Sequence, residues 1–171
     1  MSFDIHFFPC RFCSEPVERI DQETGKSRSV LPNEPLTDDE LAAVRQLLEN
    51  YRENESQDPD FYAIRCADGG TADVYASDLK MRCMIALRGY TRGIGDFLME
   101  LLKAGNWVMV PNGPPAVAAS KAAFKSVPAN FLPTVVCESS DELGRIINQR
   151  FPAWRDYRDH IVEGLKGSAA D

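Results

Sequence analysis

Residues 61–87 constrain the fold of this chain most, because they form its longest run of strand-forming residues and contain their own turns. Asp68-Gly69-Gly70 is typical of a tight turn, since glycine adopts a positive φ at no steric cost. Ser77-Asp78 indicates a second turn. Residues 81–87 first alternate and then become wholly apolar, as in a strand near the centre of a sheet. The stretch therefore predicts a three-stranded antiparallel meander.

Strands and helices are also indicated before the meander. Residues 3–8 alternate as a first strand, and 17–20 and 27–31 flank a polar turn as a small hairpin. Thr37 and Glu40 match a helical capping box, and an apolar face follows at helical spacing.

After the meander, apolar residues at helical spacing predict a helix from about 95 to 104. Short strands are predicted at 107–110 and 134–137. Residues 116–124 fit a strand or a helix, and the alanine-rich second half favours a helix. Ser139 with Glu142 indicates a third helix, and Pro152 a fourth.

The order of these elements predicts an α+β fold, with a mainly antiparallel sheet packed by about four helices. We expect a single domain over residues 1–166, followed by a flexible tail over 167–171.

Composition and charge narrow the classes of function. A hydrophobic fraction of 44% and a charged fraction of 26% are globular values. The net charge of -7, from 26 acidic and 19 basic residues, argues against a general nucleic-acid binder. No apolar run approaches the ~20 residues that cross a bilayer, and no secretion signal is visible. We therefore expect a cytoplasmic protein that binds neither nucleic acid nor membrane.

The most specific local motif is Cys10-Arg11-Phe12-Cys13. Two thiolates at this spacing can bind one zinc ion, and His6 lies four residues upstream. A structural zinc site needs four ligands, however, and the other three cysteines are isolated in the sequence. A thiol-redox role needs a helix after the motif, which Pro16 opposes. The remaining interpretation is two ordinary reduced cysteines and no cofactor.

Either of two sets of polar residues could form a site. Asp4, His6 and Asp73 lie in predicted strands and could form an acid/base cluster, or they could belong to a solvated sheet face.

The second group consists of residues near the end of the meander and the loop after it: Arg82, Arg88, Tyr90 and Arg92. Arginine and tyrosine are typical of binding hot spots and can hold a carboxylate or phosphate, although loop arginines are also commonly solvated. We predict these four residues and Asp73 as binding residues.

Sequence motifs of common enzymes are absent. The chain has no phosphate-binding G-x-x-x-x-G-K-[ST], no G-x-S-x-G and no H-E-x-x-H, and it has only two histidines. We predict no catalytic residue.

Four segments of the chain together resemble a group of small uncharacterised bacterial proteins: SFDIHFF, DGGTADVY, FLMELLKAGNWVMVPNGPP and FLPTVVCESSDEL. The resemblance covers roughly two-thirds of the chain, and its motifs are structural. Some members of the group are similar to immunity proteins of bacterial toxin systems, which implies a protein partner. The chain departs from the group at Cys10-Arg11-Phe12-Cys13 and in its extended C-terminal helix with Trp154.

The leading hypothesis is therefore a non-enzymatic cytoplasmic interaction domain, of the immunity type, whose acidic surface meets a basic protein. The alternative is a zinc-binding or thiol-redox protein that uses Cys10 and Cys13. A homodimer through Trp154 and Tyr157 on the last predicted helix is a further expectation.

Overall fold

Seven strands form one sheet with the first strand of the chain at its centre. The computed structural model describes residues 3–20, 25–53, 58–129 and 131–149. The elements in chain order are β1 (Phe3–Pro9), β2 (Val17–Ile20), β3 (Ser27–Val30), α1 (Asp38–Tyr51), β4 (Phe61–Arg65), β5 (Thr71–Asp78), β6 (Arg82–Leu87), α2 (Arg92–Ala104), β7 (Trp107–Pro111), β8 (Ala116–Ala118), α3 (Lys121–Ser126), β9 (Thr134–Val136) and α4, which is helical over 140–149.

The strand order of the large sheet is β4-β5-β6-β1-β7-β8-β9, and β2 and β3 pair as a separate hairpin. All pairs of the large sheet are antiparallel except β8 with β9. The predicted α+β fold with a mainly antiparallel sheet and four helices is therefore confirmed. Of the four helices in the described residues, α3 is the shortest, with six residues. The helix predicted from Pro152 and the tail 167–171 lie outside the described residues.

The meander is formed by β4, β5 and β6, as the sequence predicts. Its second turn lies later than Ser77-Asp78, at residues 79–81, because β5 continues through both residues. A shift of register between Tyr75 and Asp78 lets the longer strand stay paired with β6.

One face of the sheet is buried beneath helices. Phe3, Ile5 and Phe7 of β1 alternate toward that face and are fully buried. Helices α1, α2 and α4 contribute the other side of this core: Leu41, Val44, Leu48, Phe97, Leu98, Leu101, Leu102, Leu143 and Ile147. Each such side chain contributes about 1.5–3 kcal/mol when it is fully buried, so this layer holds most of the hydrophobic stabilisation of the fold.

The helix starts follow the capping signals with two differences. At α4, Ser139 accepts a hydrogen bond from the Glu142 N–H at 3.2 Å, but the Glu142 carboxylate accepts from the N–H of Glu138. Helix α2 begins at Arg92, earlier than the predicted 95, because Thr91 caps it by accepting from the Ile94 N–H.

At α1 the predicted capping box of Thr37 and Glu40 is confirmed, and a bidentate ion pair joins it to the segment after β1. Both guanidinium Nη atoms of Arg11 donate to the Glu40 carboxylate at 2.6 Å. This hydrogen bonding lowers the pKa of Glu40 to about 2. The pair therefore ties the start of α1 to the end of the central strand.

We predict that Glu40→Gln lowers stability at neutral pH, because glutamine keeps the cap but loses the ion pair. The expected loss is about 1 kcal/mol or less, since the pair is partly exposed. The folded pKa of Glu40 lies below its ordinary value of 4.5, so its contribution is present above about pH 4.5 and is lost as the pH falls toward 2. Urea unfolding of both proteins at pH 7 and pH 3 measures this. A difference that stays constant with pH would contradict it.

The tight turn between β4 and β5 packs directly against the start of α2. The Asp68 carboxylate accepts hydrogen bonds from the N–H groups of Gly93 at 2.7 Å and Gly70 at 3.0 Å. These bonds lower the pKa of Asp68. A Cβ atom at Gly70 would overlap Thr91 Oγ1 and lie 2.8 Å from Ile94 Cγ1. The turn therefore needs a glycine at position 70 for close approach to the helix.

Gly70→Ala should destabilise the protein by about 1–3 kcal/mol, the usual range for overpacking. The matched control is Gly89→Ala, because no atom lies within 4 Å of a Cβ at that position. Midpoints of urea unfolding compare the two variants with the parent protein. Equal stability of both variants would show that the turn relaxes at no cost.

Candidate functional site

The sheet face opposite the main helices is covered on one side only. Helix α3 packs over the β7–β8 side, where a second apolar cluster forms around Cys10, Val108, Ala116, Ala118 and Ala123. Across β4, β5, β6 and β1, the part of the chain that the structure describes places no helix over this face.

A strip of large side chains crosses the uncovered area. Phe61 pairs with Tyr75, Tyr75 with Met84, and Met84 with His6, so the four lie in register on one face. Phe8, two residues after His6, extends the same face. We call these five residues the aromatic strip. It crosses four strands, which is about 14 Å at the usual strand spacing.

The rings of the aromatic strip pack on one another while remaining accessible. Phe61 and Tyr75 meet edge to face with their centroids 5.5 Å apart, and His6 stacks near Phe8 at 6.4 Å. Tyr75 is 44% exposed and His6 is exposed, whereas Phe61, Met84 and Phe8 are half-buried. Such contacts fix the rotamers of the rings, so little side-chain entropy is lost when another surface covers them.

A row of carboxylates lies beside the strip. Asp73 pairs with Ala86, and Ala86 pairs with Asp4, so the two carboxylates belong to strands separated by β6. That separation is about 10 Å. Asp73 holds Arg88 at 2.9 Å. Asp4, His6 and Asp73 thus share one sheet face, but they line none of the cavities described below.

The predicted arginine and tyrosine group is divided among three places. Arg82 begins β6 and Arg88 follows its end, so the length of a six-residue strand separates them. The Tyr90 hydroxyl donates to the Ser140 carbonyl at 2.9 Å, between α2 and α4. Arg92 lies on the first turn of α2. The four residues therefore do not converge on one site: β6 separates Arg82 from the other three, whereas Tyr90 and Arg92 line one cavity.

A cavity of about 390 Å³ adjoins the aromatic strip and was not predicted. It lies between the β2–β3 hairpin segment and the sheet. Its lining residues are Phe8, Arg19, Val30, Leu31, Pro32, Asn33, Asp78, Met81 and Arg82. Phe8 belongs to both surfaces, and Arg82 adds a charged group. A second cavity of about 340 Å³ lies nearby and also includes Val30, Leu31 and Asn33.

The predicted metal ligands occupy different environments. His6 is exposed on the open face, Cys10 is buried beneath α3, and Cys13 is half-buried. Burial raises the pKa of the Cys10 thiol to about 12. In the described residues, no three His, Cys, Asp or Glu side chains group together as a metal site would need. Zinc binding stays a prediction that metal analysis of the purified chain would test.

All five cysteines are free thiols, and they should differ sharply in reactivity. Burial raises the pKa of four of them, Cys10, Cys66, Cys83 and Cys137. We predict that one thiol, Cys13, reacts rapidly with a disulfide reagent at pH 8 in the native protein.

Cys13→Ser should abolish the rapid phase, and all thiols that remain should react after unfolding in guanidinium. A rapid phase that survives in Cys13→Ser, or that involves Cys10, would contradict this order of reactivity.

Within the described residues, no helix is long and apolar enough to cross a membrane. Comparison of the chain with protein-family models, curated proteins and solved structures found no match.

Proposed function

We propose that this chain is a non-enzymatic protein-binding domain whose partner contacts the aromatic strip. The observation that carries the proposal is the alignment of Phe61, Tyr75, Met84 and His6 on a sheet face that α3 leaves open. Tyrosine, phenylalanine and methionine are enriched in the cores of protein interfaces. A solvated sheet face would instead carry charged and small polar groups at these positions.

The negative net charge of the chain favours a basic partner. The chain carries a net charge of -7, and Asp4 and Asp73 lie beside the strip. An acidic surface accelerates encounter with a basic protein and disfavours acidic ones. The bacterial group that the sequence resembles includes members similar to immunity proteins, which points to the same kind of partner, a basic toxin protein that the domain would bind and block.

The strip and the adjoining cavity together suit a protein surface more than a small molecule. The strip is an extended area with no enclosing walls, whereas small-molecule sites are concave and bury most of their ligand. The cavity beside Phe8 could receive a side chain of the partner. Arg82 and Arg19 on its lining provide donors for a carboxylate or carbonyl there.

The proposal predicts that Tyr75→Glu combined with Met84→Glu abolishes partner binding, because two carboxylates would have to be desolvated in the interface. The control is Phe124→Glu, which changes a side chain of similar exposure on α3. Each tagged protein is incubated with lysate of the source cells at low and moderate salt, and bound proteins are identified by mass spectrometry. We expect a basic protein with the parent and control but not with the double variant.

The affinity of the chain for its partner is then measured with the purified partner. Tyr75→Ala should weaken binding by about tenfold or more, as for an interface aromatic side chain. Equal recovery of the same proteins by all variants would overturn the proposal. So would a stable homodimer that Tyr75→Glu dissociates, since a second copy would then be the occupant of the strip. Circular dichroism confirms that each variant is folded.

A further inference from the structure

A third cavity lies on the helical side of the molecule, away from the aromatic strip, where the start of α2 meets α4. Its volume is about 240 Å³. The lining residues are Tyr90, Arg92, Ser140, Asp141, Gly144, Arg145 and Asn148. Nearly all of these side chains are polar, and two are arginines.

The cavity has a fixed wall formed by Tyr90. Its hydroxyl donates to the Ser140 carbonyl, and its ring would lie 3.0 Å from a Cβ atom at Gly144. A Cβ atom at Gly95 would overlap the same hydroxyl. Glycine on both helices therefore allows the tyrosine to lie between them, and the ring holds the two helix starts at a fixed separation.

The guanidinium groups at this cavity have no acidic partner in the described residues. Among the other described arginines, Arg11, Arg52, Arg65 and Arg88 each pair with a carboxylate, whereas Arg19, Arg45 and Arg82 form no ion pair in the described residues. No such pair forms at Arg92 or Arg145, although Asp141 lies one helical turn before Arg145 on α4. Two exposed arginines therefore share the cavity with one carboxylate, Asp141, to which neither is ion-paired, and their donors are accessible to a ligand.

The positive charge of Arg92 also lies at an unfavourable place in α2. It lies in the first turn of α2, where the macrodipole disfavours a positive charge, and that turn has no acidic residue. The N–H groups of Gly93 and Ile94 already donate to Asp68 and Thr91. The side chains, and not free backbone donors, would therefore bind a ligand.

We propose that this cavity binds a small molecule with an oxyanion group, either a phosphate or a carboxylate. Arg92 and Arg145 would donate to its oxygens, because guanidinium groups match both anions in geometry and charge. Asp141 and Asn148 would accept hydrogen bonds from a hydroxyl or amino group on the same molecule. The volume of about 240 Å³ suits a small ligand. This site is independent of the protein-binding function proposed above.

The test is calorimetric titration of the full chain with three probes, inorganic phosphate, glycerol 3-phosphate and succinate, in buffer of constant ionic strength set with chloride. We expect saturable binding of at least one probe. Arg92→Ala and Arg145→Ala should each weaken it by about tenfold, the usual effect of losing a charge-assisted hydrogen bond.

Asp141→Asn should strengthen the binding of inorganic phosphate, since it removes a repelling charge. Arg45→Ala, at an exposed position on α1, is the matched control and should leave binding unchanged.

Each outcome bears on the proposal. Binding of phosphates alone or of succinate alone supports the site and identifies its anion class, and tighter binding of glycerol 3-phosphate than of phosphate supports the role of Asp141 and Asn148. No saturable binding of any probe overturns the proposal. Binding that Arg45→Ala weakens as much as Arg92→Ala does also overturns it, because only the general charge of the surface would then be involved.

Discussion

The pairing of β1 on both edges is the constraint on which the rest of the structure depends. This strand joins the meander through β6 and the second half of the sheet through β7. Its alternation sends Phe3, Ile5 and Phe7 into the helical core, and Asp4, His6 and Phe8 to the other face. A slip of one residue would exchange these two sets and bury a carboxylate. The register of the central strand therefore determines which face of the whole sheet becomes core.

Both candidate sites follow from that division into two faces. The buried face needs helices to cover it, and where α2 and α4 converge, Tyr90 and two glycines leave a polar cavity between the helix starts. Over the other face, the described residues place one helix, the short α3, so β4, β5, β6 and β1 present their outer side chains. The domain thus has an extended surface suited to a protein on one side and a small polar cavity on the other.

Local signals predicted most elements, whereas the sites needed tertiary information. The capping box at Thr37 and the glycine turn at 69–70 each act within a few residues, so the sequence alone indicates them. The arginine group was predicted from closeness in sequence, but β6 separates Arg82 from Arg88, Tyr90 and Arg92. The aromatic strip was missed because alternation identifies two faces without showing which face the helices cover. The available signal was Tyr75, which alternates with Asp73 on the same face of β5 and pairs with Phe61.

The central position of β1 also affects the order in which the chain can fold. Phe3 pairs with Leu87 and Pro9 with Trp107, so both ladders of β1 close very long loops. The meander, by contrast, closes only short turns. Loop-closure entropy grows with the length of chain enclosed, and non-local ladders form more slowly. The strand that organises the finished sheet is therefore among the last parts able to gain its contacts, and its phenylalanine side chains stay exposed to other chains until it does.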